Sequence, residues 1–265
     1  MLYACLLRDQ ADSDQKLAVQ LLLRAAKSIT DADAIDEAVK PHATAHRPRG
    51  HTRMTNTDPY IKPLVQACLD TYTPGRMPWF INKAGTCQVY KSFVLGRPCY
   101  AFGATRTTAE WLVDFLALEV PFKDHPNLGP VHEGFWIDTE DAVKAIMDDL
   151  AAAGHAEFFL TGHSKGASEG LLAMAELALH GAAALAGRFF EPAMIGTGKL
   201  TNYMAQFDVG WTRTVNAHGP DEVTRVPPWS EWQHQGVLTE LVVPDTYNNA
   251  RKHEIAAVVA AVMAL

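Results

Sequence analysis

Residues 157–166 read Glu157-Phe158-Phe159-Leu160-Thr161-Gly162-His163-Ser164-Lys165-Gly166, and this stretch decides the fold. The run from Glu157 to Thr161 is short and apolar, which is typical of a buried parallel strand. The residues from Gly170 to Ala186 are rich in alanine and predict a helix. A serine flanked by two glycines therefore lies in a sharp turn between a strand and a helix.

Strand and helix patterns alternate on both sides of this turn. Two strand patterns flank Leu95-Gly96 and precede an amphipathic helix that ends near Gly154. This alternation predicts an α/β fold with a mainly parallel central sheet and helices on both faces. The predicted elements are strands at Cys87–Phe93, Arg97–Phe102, Phe189–Ile195, Trp211–Asn216 and Val237–Val243, and helices at Asp138–Ala153 and Glu254–Ala264.

The N-terminal third differs from the rest because its apolar positions follow helical spacing. Residues 14–27, 35–39 and 60–69 all predict helices. A chain of 265 residues is long enough for one large domain with a substantial core. We therefore expect a single domain over residues 1–265, with a mostly helical portion at 1–85 and a catalytic core at 86–265.

The composition excludes several classes of protein. Apolar residues make up 48% of the chain and charged residues 20%, which is ordinary for a globular protein. The net charge of −7 gives no electrostatic reason to bind nucleic acid. The one basic stretch, residues 46–53, contains proline and glycine and indicates an exposed loop.

Cysteines, histidines and apolar runs show no pattern for metal binding or membrane insertion. The four cysteines, Cys5, Cys68, Cys87 and Cys99, lack zinc-type or redox spacing, and buried free thiols are expected. Histidines in the 42–51 loop also lack zinc-type pairing, so no metal is expected. The N-terminus does not resemble a signal peptide, and the apolar C-terminus is shorter than the roughly 20 residues of a membrane-spanning helix.

The stretch Gly162-His163-Ser164-Lys165-Gly166 matches the G-x-S-x-G pattern of a nucleophile elbow. Its glycines allow the strained turn that exposes a serine hydroxyl, and the helix N-terminus below favours developing negative charge. The string alone is weak, since any glycine-rich turn with a serine would match it. The strand and helix around it make Ser164 the candidate nucleophile.

Four other segments share residue combinations with one known family. The sequence resembles the class 3 lipases, which are α/β hydrolases with a short helical lid, from about residue 85 to the C-terminus. It departs from the family at Gly103-Ala104, which replace Arg-Gly, and at Lys165 and Ala167, which replace leucine and glycine. The matching segments are Ala101–Asp114, Val131–Phe135, Phe190-Glu191-Pro192 with Gly196, and Val215-Asn216 with Asp221, Val223 and Pro227-Pro228.

The acid of a serine hydrolase with this fold follows a late strand, and Asp221 lies just after the predicted strand at 211–216. Glu222 would replace it if the loop were aligned one residue differently. Asp245, which follows the last predicted strand, is a third candidate. Asp221 is the preferred acid because the resemblance places it in the family's acid-bearing loop.

Three histidines follow the nucleophile, and His253 alone lies between the final strand and the final helix. In this fold that loop brings an imidazole beside the elbow serine. His234 precedes the last strand and resembles a family histidine that is not catalytic, and His218 is a weaker candidate. Ser164, Asp221 and His253 follow the order expected of a hydrolase triad.

A tetrahedral oxyanion needs preorganised N–H donors. Lys165 follows the nucleophile, so its amide is one candidate, and Thr105 matches the family position that offers an amide and a hydroxyl. The resemblance also implies a lid at about residues 106–122 that carries the apolar Trp111, Leu112 and Phe115. An ordinary core helix is the alternative for that segment.

Together these residues predict a carboxylic ester hydrolase of the lipase or carboxylesterase type, working through an acyl-serine without a cofactor. The expected partner is a small-molecule or lipid ester, with transient contact to a lipid surface. Phospholipase A1, feruloyl-type esterase and a hydrolase-fold protein that binds a ligand without cleaving it are the alternatives. The compartment stays open.

Overall fold

The computed structural model describes residues 58–103, 119–122, 125–227 and 230–265. The helices predicted at residues 14–27 and 35–39 and most of the expected lid lie outside these ranges. The strands are β1 (Phe80–Ile81), β2 (Gln88–Val94), β3 (Arg97–Phe102), β4 (Glu119–Pro121), β5 (Pro130–His132), β6 (Phe159–His163), β7 (Ala186–Phe190), β8 (Gly196–Thr197), β9 (Val209–Asn216), β10 (Gly219–Pro220), β11 (Trp232–Gln233) and β12 (Val237–Val242). The α-helices are α1 (Ile61–Asp70), α2 (Glu133–Ala153), α3 (Lys165–Leu179), α4 (Gly198–Met204), α5 (Asn249–His253) and α6 (Ile255–Met263).

The central sheet is mixed but mainly parallel at its middle. Its order is β1-β2-β3-β6-β7-β9-β10, and β12 also pairs with β9. The pairs β3–β6, β6–β7, β7–β9 and β9–β12 are parallel, whereas β1–β2, β2–β3 and β9–β10 are antiparallel. This is the α/β-hydrolase arrangement expected from the alternating sequence pattern.

Helices cover both faces of this sheet because the side chains of each strand alternate between them. On one face, Leu160 of β6 packs in a large apolar cluster with residues of α2 and α3. On the other face, its neighbour Phe159 packs against Leu64 of α1, and Phe190 of β7 joins residues of α1 and α6. Successive side chains of one strand therefore contribute to the two apolar cores, one on each face of the sheet.

A smaller antiparallel sheet has the order β11-β8-β5-β4. Its strand β5 leads directly into α2, whose first helical residue is Glu133. The helix predicted to begin at Asp138 thus starts five residues earlier, after the extended backbone of His132. Val131 and Phe135 anchor this junction in the large apolar cluster.

Three cysteines lie within the described part of the chain, and all three are free and buried. Cys68 and Cys99 belong to clusters beneath α1, whereas Cys87 belongs to the cluster on the opposite face. Burial raises the pKa of each thiol. The expectation of buried free thiols is confirmed for these three.

Across the described ranges, no helix combines the length and the apolar character that a membrane crossing requires.

Candidate active site

Ser164 lies at the tip of the turn between β6 and α3, with backbone angles φ 59° and ψ −128°. A positive φ is unfavourable for a residue with a Cβ, so this backbone is strained. The Ser164 amide donates a hydrogen bond to the carbonyl oxygen of Phe190 at 2.9 Å, which ties the turn to the end of the neighbouring strand β7. The elbow geometry predicted for this serine is present.

The two glycines of the elbow are required by close backbone contacts. A Cβ on Gly162 would collide with the backbone of Gly166 in the first turn of α3. A Cβ on Gly166 would collide with the carbonyl group of Phe102 at the end of β3. Glycine at both positions therefore lets α3 begin immediately against the sheet, with its N-terminus beside the serine.

His253 ends the short helix α5 and faces the serine. Its Nε2 lies 2.7 Å from Oγ of Ser164, and its Nδ1 lies 2.6 Å from Oδ2 of Asp221. A carboxylate can only accept, so Nδ1 carries the proton and Nε2 accepts from the serine hydroxyl. The three residues form one continuous chain of hydrogen bonds from nucleophile to carboxylate.

Asp221 follows β10 and is fully buried. Its Oδ1 accepts a hydrogen bond from the Val223 amide at 3.1 Å, which fixes the carboxylate on the following turn of 3₁₀-helix. Burial acts to raise the pKa of Asp221, but attraction by His253 and the hydrogen bonds to its oxygens hold the pKa below its ordinary value. Asp221 is therefore ionised at neutral pH.

The structure places the alternative acids away from His253. Glu222 pairs with Arg225 at 3.2 Å within the turn of 3₁₀-helix. Asp245 accepts a hydrogen bond from the Ala217 amide at 2.8 Å.

The alternative bases are also separate from the serine. The His234 ring stacks on Trp211 with centroids 3.8 Å apart, and its Nε2 contacts the carbonyl oxygen of Thr224 at 2.5 Å. His218 is exposed in the loop between β9 and β10. His234 thus supports the loop that follows Asp221.

His163, the residue before the serine, makes a hydrogen bond to the backbone of His253. Its Nε2 donates to the carbonyl oxygen of His253 at 2.9 Å, and its Nδ1 accepts from the Tyr72 hydroxyl at 2.6 Å. Burial and the neighbouring His253 lower the pKa of His163 to about 3. A neutral imidazole therefore links the nucleophile turn to the backbone of the base.

Lys165 presents two different groups. Its amide opens α3 and so has no acceptor one turn earlier in the helix, which leaves it available to an oxyanion. Its ammonium is buried and donates to Thr86 O at 3.0 Å, Asp138 Oδ2 at 2.6 Å and Glu169 Oε1 at 2.7 Å. All three ammonium protons have acceptors, so this side chain stabilises the start of the helix, and the amide is the group of Lys165 that remains available to a ligand.

The charges of this cluster influence one another. Burial acts to lower the pKa of Lys165, but Glu169 and Asp138 raise it overall. Burial raises the pKa of Glu169 to about 7, although Lys165 acts in the opposite direction. Lys165 is therefore positively charged at neutral pH, and the Glu169 carboxyl loses its proton near pH 7.

Four residues near the site were not singled out from the sequence: Tyr72, Asp138, Glu169 and Glu191. Lys165 and Glu169 have the i, i+4 spacing of a helical ion pair, which is a signal in the sequence. Glu191 lies in the Phe190-Glu191-Pro192 segment, which contributes to the family resemblance but gives Glu191 no role of its own. Tyr72 and Asp138 reach the site only through the tertiary fold, so their sequence neighbours give no signal.

One group of side chains in the described ranges has the composition of a metal site. Ligand atoms of Glu191, Asp221 and His253 lie within 4.8 Å of one another. The Nδ1 atom of His253 and both oxygens of Asp221 already make hydrogen bonds in the serine–histidine–aspartate arrangement. We therefore assign no metal to this group.

The second predicted oxyanion donor, Thr105, and the predicted lid residues Trp111, Leu112 and Phe115 lie outside the described residues. The described residues before this gap end at Gly103. Phe102 and Gly103 lie beside the elbow, where they pack against the backbone of Gly166. Gly103 itself is fixed by a hydrogen bond from its amide to the carbonyl oxygen of Gln88 at 2.8 Å.

Several solved structures are similar to this chain. A lipase from Rhizopus microsporus var. chinensis is 19% identical, over 67% of this chain and 70% of that chain, with a TM-score of 0.52. The Rhizomucor miehei triacylglyceride lipase is 16% identical, over 74% and 84% of the two chains, with a TM-score of 0.59. Lipase II from Rhizopus niveus is 21% identical, over 64% and 66%, with a TM-score of 0.52. These likenesses establish a shared fold.

A search of curated protein sequences finds no significant match. The family model described as lipase (class 3) matches residues 99–231, which contain most of β3, the elbow and the loop of Asp221. The matched residues make up half of the chain. With the α/β-hydrolase sheet and the elbow around Ser164, this match identifies the chain as a member of the class 3 lipase family, a lipase-type hydrolase.

Proposed function

We propose that this protein is a serine carboxylic-ester hydrolase of the lipase or esterase type, in which Ser164, His253 and Asp221 form the catalytic triad. The observation that carries the proposal is the unbroken hydrogen-bond chain from Ser164 Oγ through both nitrogens of His253 to Asp221. This arrangement can activate a serine hydroxyl, which is otherwise a weak nucleophile. It needs neither a metal nor an organic cofactor.

In the first half of the reaction, Oγ of Ser164 attacks the carbonyl carbon of the ester, and Nε2 of His253 takes the hydroxyl proton. The tetrahedral intermediate collapses when the bond to the leaving oxygen breaks. His253 then gives its proton to that oxygen, so the alcohol leaves and the acyl group stays on Ser164. Asp221 stabilises the imidazolium that exists between the two proton transfers.

In the second half, water replaces the alcohol. His253 takes a proton from the water as its oxygen attacks the acyl carbon, and the bond to Ser164 Oγ breaks. The proton returns to Oγ, and the carboxylic acid leaves. The neutral His163 supports both steps, because its hydrogen bond to the His253 carbonyl oxygen holds the base beside the serine.

Each tetrahedral intermediate carries an oxyanion that requires N–H donors. We assign the Lys165 amide and the amide and hydroxyl of Thr105 to this role. The position of Lys165 as the first residue of α3 supports the first assignment, because the helix dipole adds to the donor. The family match and the close approach of Gly103 to the elbow support the second.

The substrate side of the proposal rests on the family and on the sequence. Class 3 lipases act on lipid esters, and an apolar lid with Trp111, Leu112 and Phe115 would cover an acyl chain in water. Opening of that lid at a lipid surface would expose an apolar patch, which suits transient contact with such a surface. We extend the proposal to one domain over residues 1–265 that contains this lid.

The proposed function is tested by hydrolysis of p-nitrophenyl butyrate and p-nitrophenyl palmitate. We expect Ser164→Ala and His253→Ala to lower kcat by about 10⁴-fold or more, since each removes a member of the triad. His234→Ala should keep activity within about tenfold, because that ring lies outside the hydrogen-bond chain. The ratio of the two substrates separates esterase from lipase specificity.

Folded variants are confirmed by circular dichroism, and His218→Ala is the matched control for an exposed histidine. A fluorophosphonate probe should label the wild type at Ser164 and leave Ser164→Ala unlabelled, because labelling requires an activated serine. A wild type that neither hydrolyses the esters nor reacts with the probe would instead support a ligand-binding protein. A dead His234 variant beside an active His253 variant would overturn the assignment of the base.

A further inference from the structure

Glu191 stands directly behind the proposed triad in an unfavourable backbone conformation. It follows the last residue of β7, is fully buried and has a φ of 54°. A residue with a Cβ is strained at this φ, which glycine adopts far more readily. A side chain that persists at a place suited to glycine has a contact that compensates for the strain.

The two oxygens of Glu191 have different surroundings. Oε1 accepts a hydrogen bond from the Thr214 amide at 2.8 Å. Oε2 is buried and meets no N–H or O–H donor among the described residues. The group that Glu191 does face is the buried carboxylate of Asp221, and one oxygen of each carboxylate lies within 4.8 Å of the other. Two ionised carboxylates so close in the interior would repel each other strongly.

The hydrogen bonds decide which of the two carboxyl groups holds a proton. Asp221 accepts from His253 at 2.6 Å and from the Val223 amide at 3.1 Å, so both of its oxygens are arranged for the ionised form. Glu191 accepts from one amide only. Burial raises the pKa of Glu191, and the charge of the neighbouring Asp221 raises it further.

Nearby cations are engaged elsewhere. Arg213 lowers the pKa of Glu191 in part, but a terminal nitrogen of its guanidinium pairs with Glu240 at 2.6 Å and its Nε donates to neither carboxylate. The ammonium of Lys252 donates to the carbonyl oxygens of Gly219 and Pro220. His253 directs its Nδ1 to Asp221. None of these cations bridges the two carboxyl groups. A hydrogen bond through a shared proton is therefore the interaction that can hold Glu191 beside Asp221.

We propose that Glu191 is a neutral carboxylic acid whose hydroxyl donates a hydrogen bond to the Asp221 carboxylate, and that it is a positioning residue for Asp221. The bond would complete the shell of donors around the carboxylate and orient it toward His253. Its catalytic consequence rests on the proposed triad. Loss of the Glu191 proton at high pH would set two anions side by side and disturb the Asp221–His253 contact.

The substitution Glu191→Gln separates this role from simple packing. Glutamine has the same shape, keeps a carbonyl oxygen for the Thr214 amide and supplies an NH₂ donor for Asp221, but it cannot lose a proton at these pH values. Glu191→Ala removes the donor, and Glu191→Gly removes both the donor and the backbone strain. Comparison of the last two variants therefore corrects for the unfavourable φ.

We expect Glu191→Gln to keep kcat near neutral pH within about threefold of the wild type, whereas Glu191→Ala and Glu191→Gly lose about tenfold or more, as for a hydrogen bond to a charged group. The pH profile of kcat should decline on the alkaline side in the wild type and stay level to higher pH in Glu191→Gln. A glutamine variant as impaired as the alanine variant, or one with the wild-type alkaline decline, would overturn the proposal.

A second measurement does not depend on turnover. Infrared difference spectra in the inactive Ser164→Ala/Glu169→Gln background, which removes the buried carboxyl group that titrates near pH 7, should contain the carbonyl stretch of a neutral carboxylic acid at pH 7. Glu191→Gln should abolish this band. Absence of this band means that Glu191 is ionised and rejects the proposal. If the wild type cleaves no ester but the band is present, the proposed function fails while the protonated Glu191 stands.

Discussion

At the scale of single residues, the backbone conformation of Ser164 lowers stability, whereas its side chain is needed for the proposed chemistry. Its φ of 59° and ψ of −128° lie in a region that glycine occupies readily and serine does not. Strained residues of this kind cost about 1–3 kcal/mol and persist where the surrounding structure fixes them. Here the hydroxyl at the tip of the turn is the reason to retain a serine.

This strain can be measured with two variants that both lack the hydroxyl. We expect Ser164→Gly to exceed Ser164→Ala in free energy of unfolding by about 1 kcal/mol, since the relief of strain outweighs the greater flexibility of glycine in the unfolded chain. Urea denaturation at one pH gives both values, and activity assays confirm that neither turns over ester. An alanine variant equal to or more stable than the glycine variant would show that the turn stores no strain.

Individual residues of the site differ in how well the sequence predicts them. Ser164, Asp221 and His253 were selected because each follows a strand in the order that this fold requires, and the structure brings all three together. The sequence names Glu191 only within the Phe190-Glu191-Pro192 segment, because no local pattern pairs it with Asp221. Its importance depends on the distance to Asp221, which is separated from it by thirty positions in the numbering.

At the scale of elements, helix α3 carries both the elbow and a buried ion cluster. It begins at Lys165, five residues before the predicted start at Gly170, and ends at Leu179 rather than Ala186. The early start includes Gly166, a poor helix former that close packing against Phe102 demands. The early end precedes Gly181, whose φ of 85° stops the helix.

The Glu169 carboxyl in this helix should make stability depend on pH. Its pKa is raised from an ordinary 4.5 to about 7, so between these values the folded chain holds a proton that the unfolded chain has lost. Stability from this group is fully present below pH 4.5 and is lost as the pH rises through 7. At about 1.4 kcal/mol per pH unit, the loss approaches about 3 kcal/mol.

Denaturation of the wild type and of Glu169→Gln at several pH values isolates this contribution. The difference in free energy of unfolding between the two should change across pH 4.5–7 and stay constant outside it. Asp141→Asn, an exposed carboxylate on α2, is the matched control and should leave the pH dependence unchanged. A constant difference between wild type and Glu169→Gln would show that Glu169 titrates normally.

Strand β7 shows why strand boundaries were less predictable than strand order. The apolar run predicted a strand at 189–195, whereas the strand occupies Ala186–Phe190. Its centre contains Arg188, which is buried and donates to both oxygens of Asp58 at 2.6 and 3.1 Å. A charged residue inside a parallel strand opposes the usual pattern, and its partners Asp58 and Asp208, which lie far from it in the sequence, make it compatible with the core.

At the scale of the whole molecule, distant parts of the chain cover the same face of the sheet. Helix α1 precedes every strand of the described residues, whereas α6 ends near the last residue, and the two pack together over Phe190 and Leu241. Helix α6 begins two residues after His253, so this packing also stabilises the position of the proposed base. The layered fold was predictable from the alternating pattern, but the pairing of α1 with α6 was not, because no local signal couples them.

Adjacent positions of α6 offer a test of this packing. We expect Val262→Asn to lower the free energy of unfolding by about 3 kcal/mol, because it replaces a fully buried apolar side chain with an amide that lacks a partner. Met263→Asn, at an exposed position, should change it by less than about 0.5 kcal/mol. Thermal and urea denaturation give both values, and equal effects of the two substitutions would contradict the packing described for α6.

The buried thiols make the chain its own reporter of transient opening. Alkylating reagents react with thiolates, and burial both raises the pKa of Cys68, Cys87 and Cys99 and shields them from solvent. Cys68 lies on the buried face of α1, Cys99 lies in the cluster beneath α1, and Cys87 lies in the cluster on the opposite face of the sheet. Their alkylation rates therefore report separately how often each face of the molecule opens. Mass spectrometry of the labelled peptides thereby measures local unfolding on each face without any introduced probe.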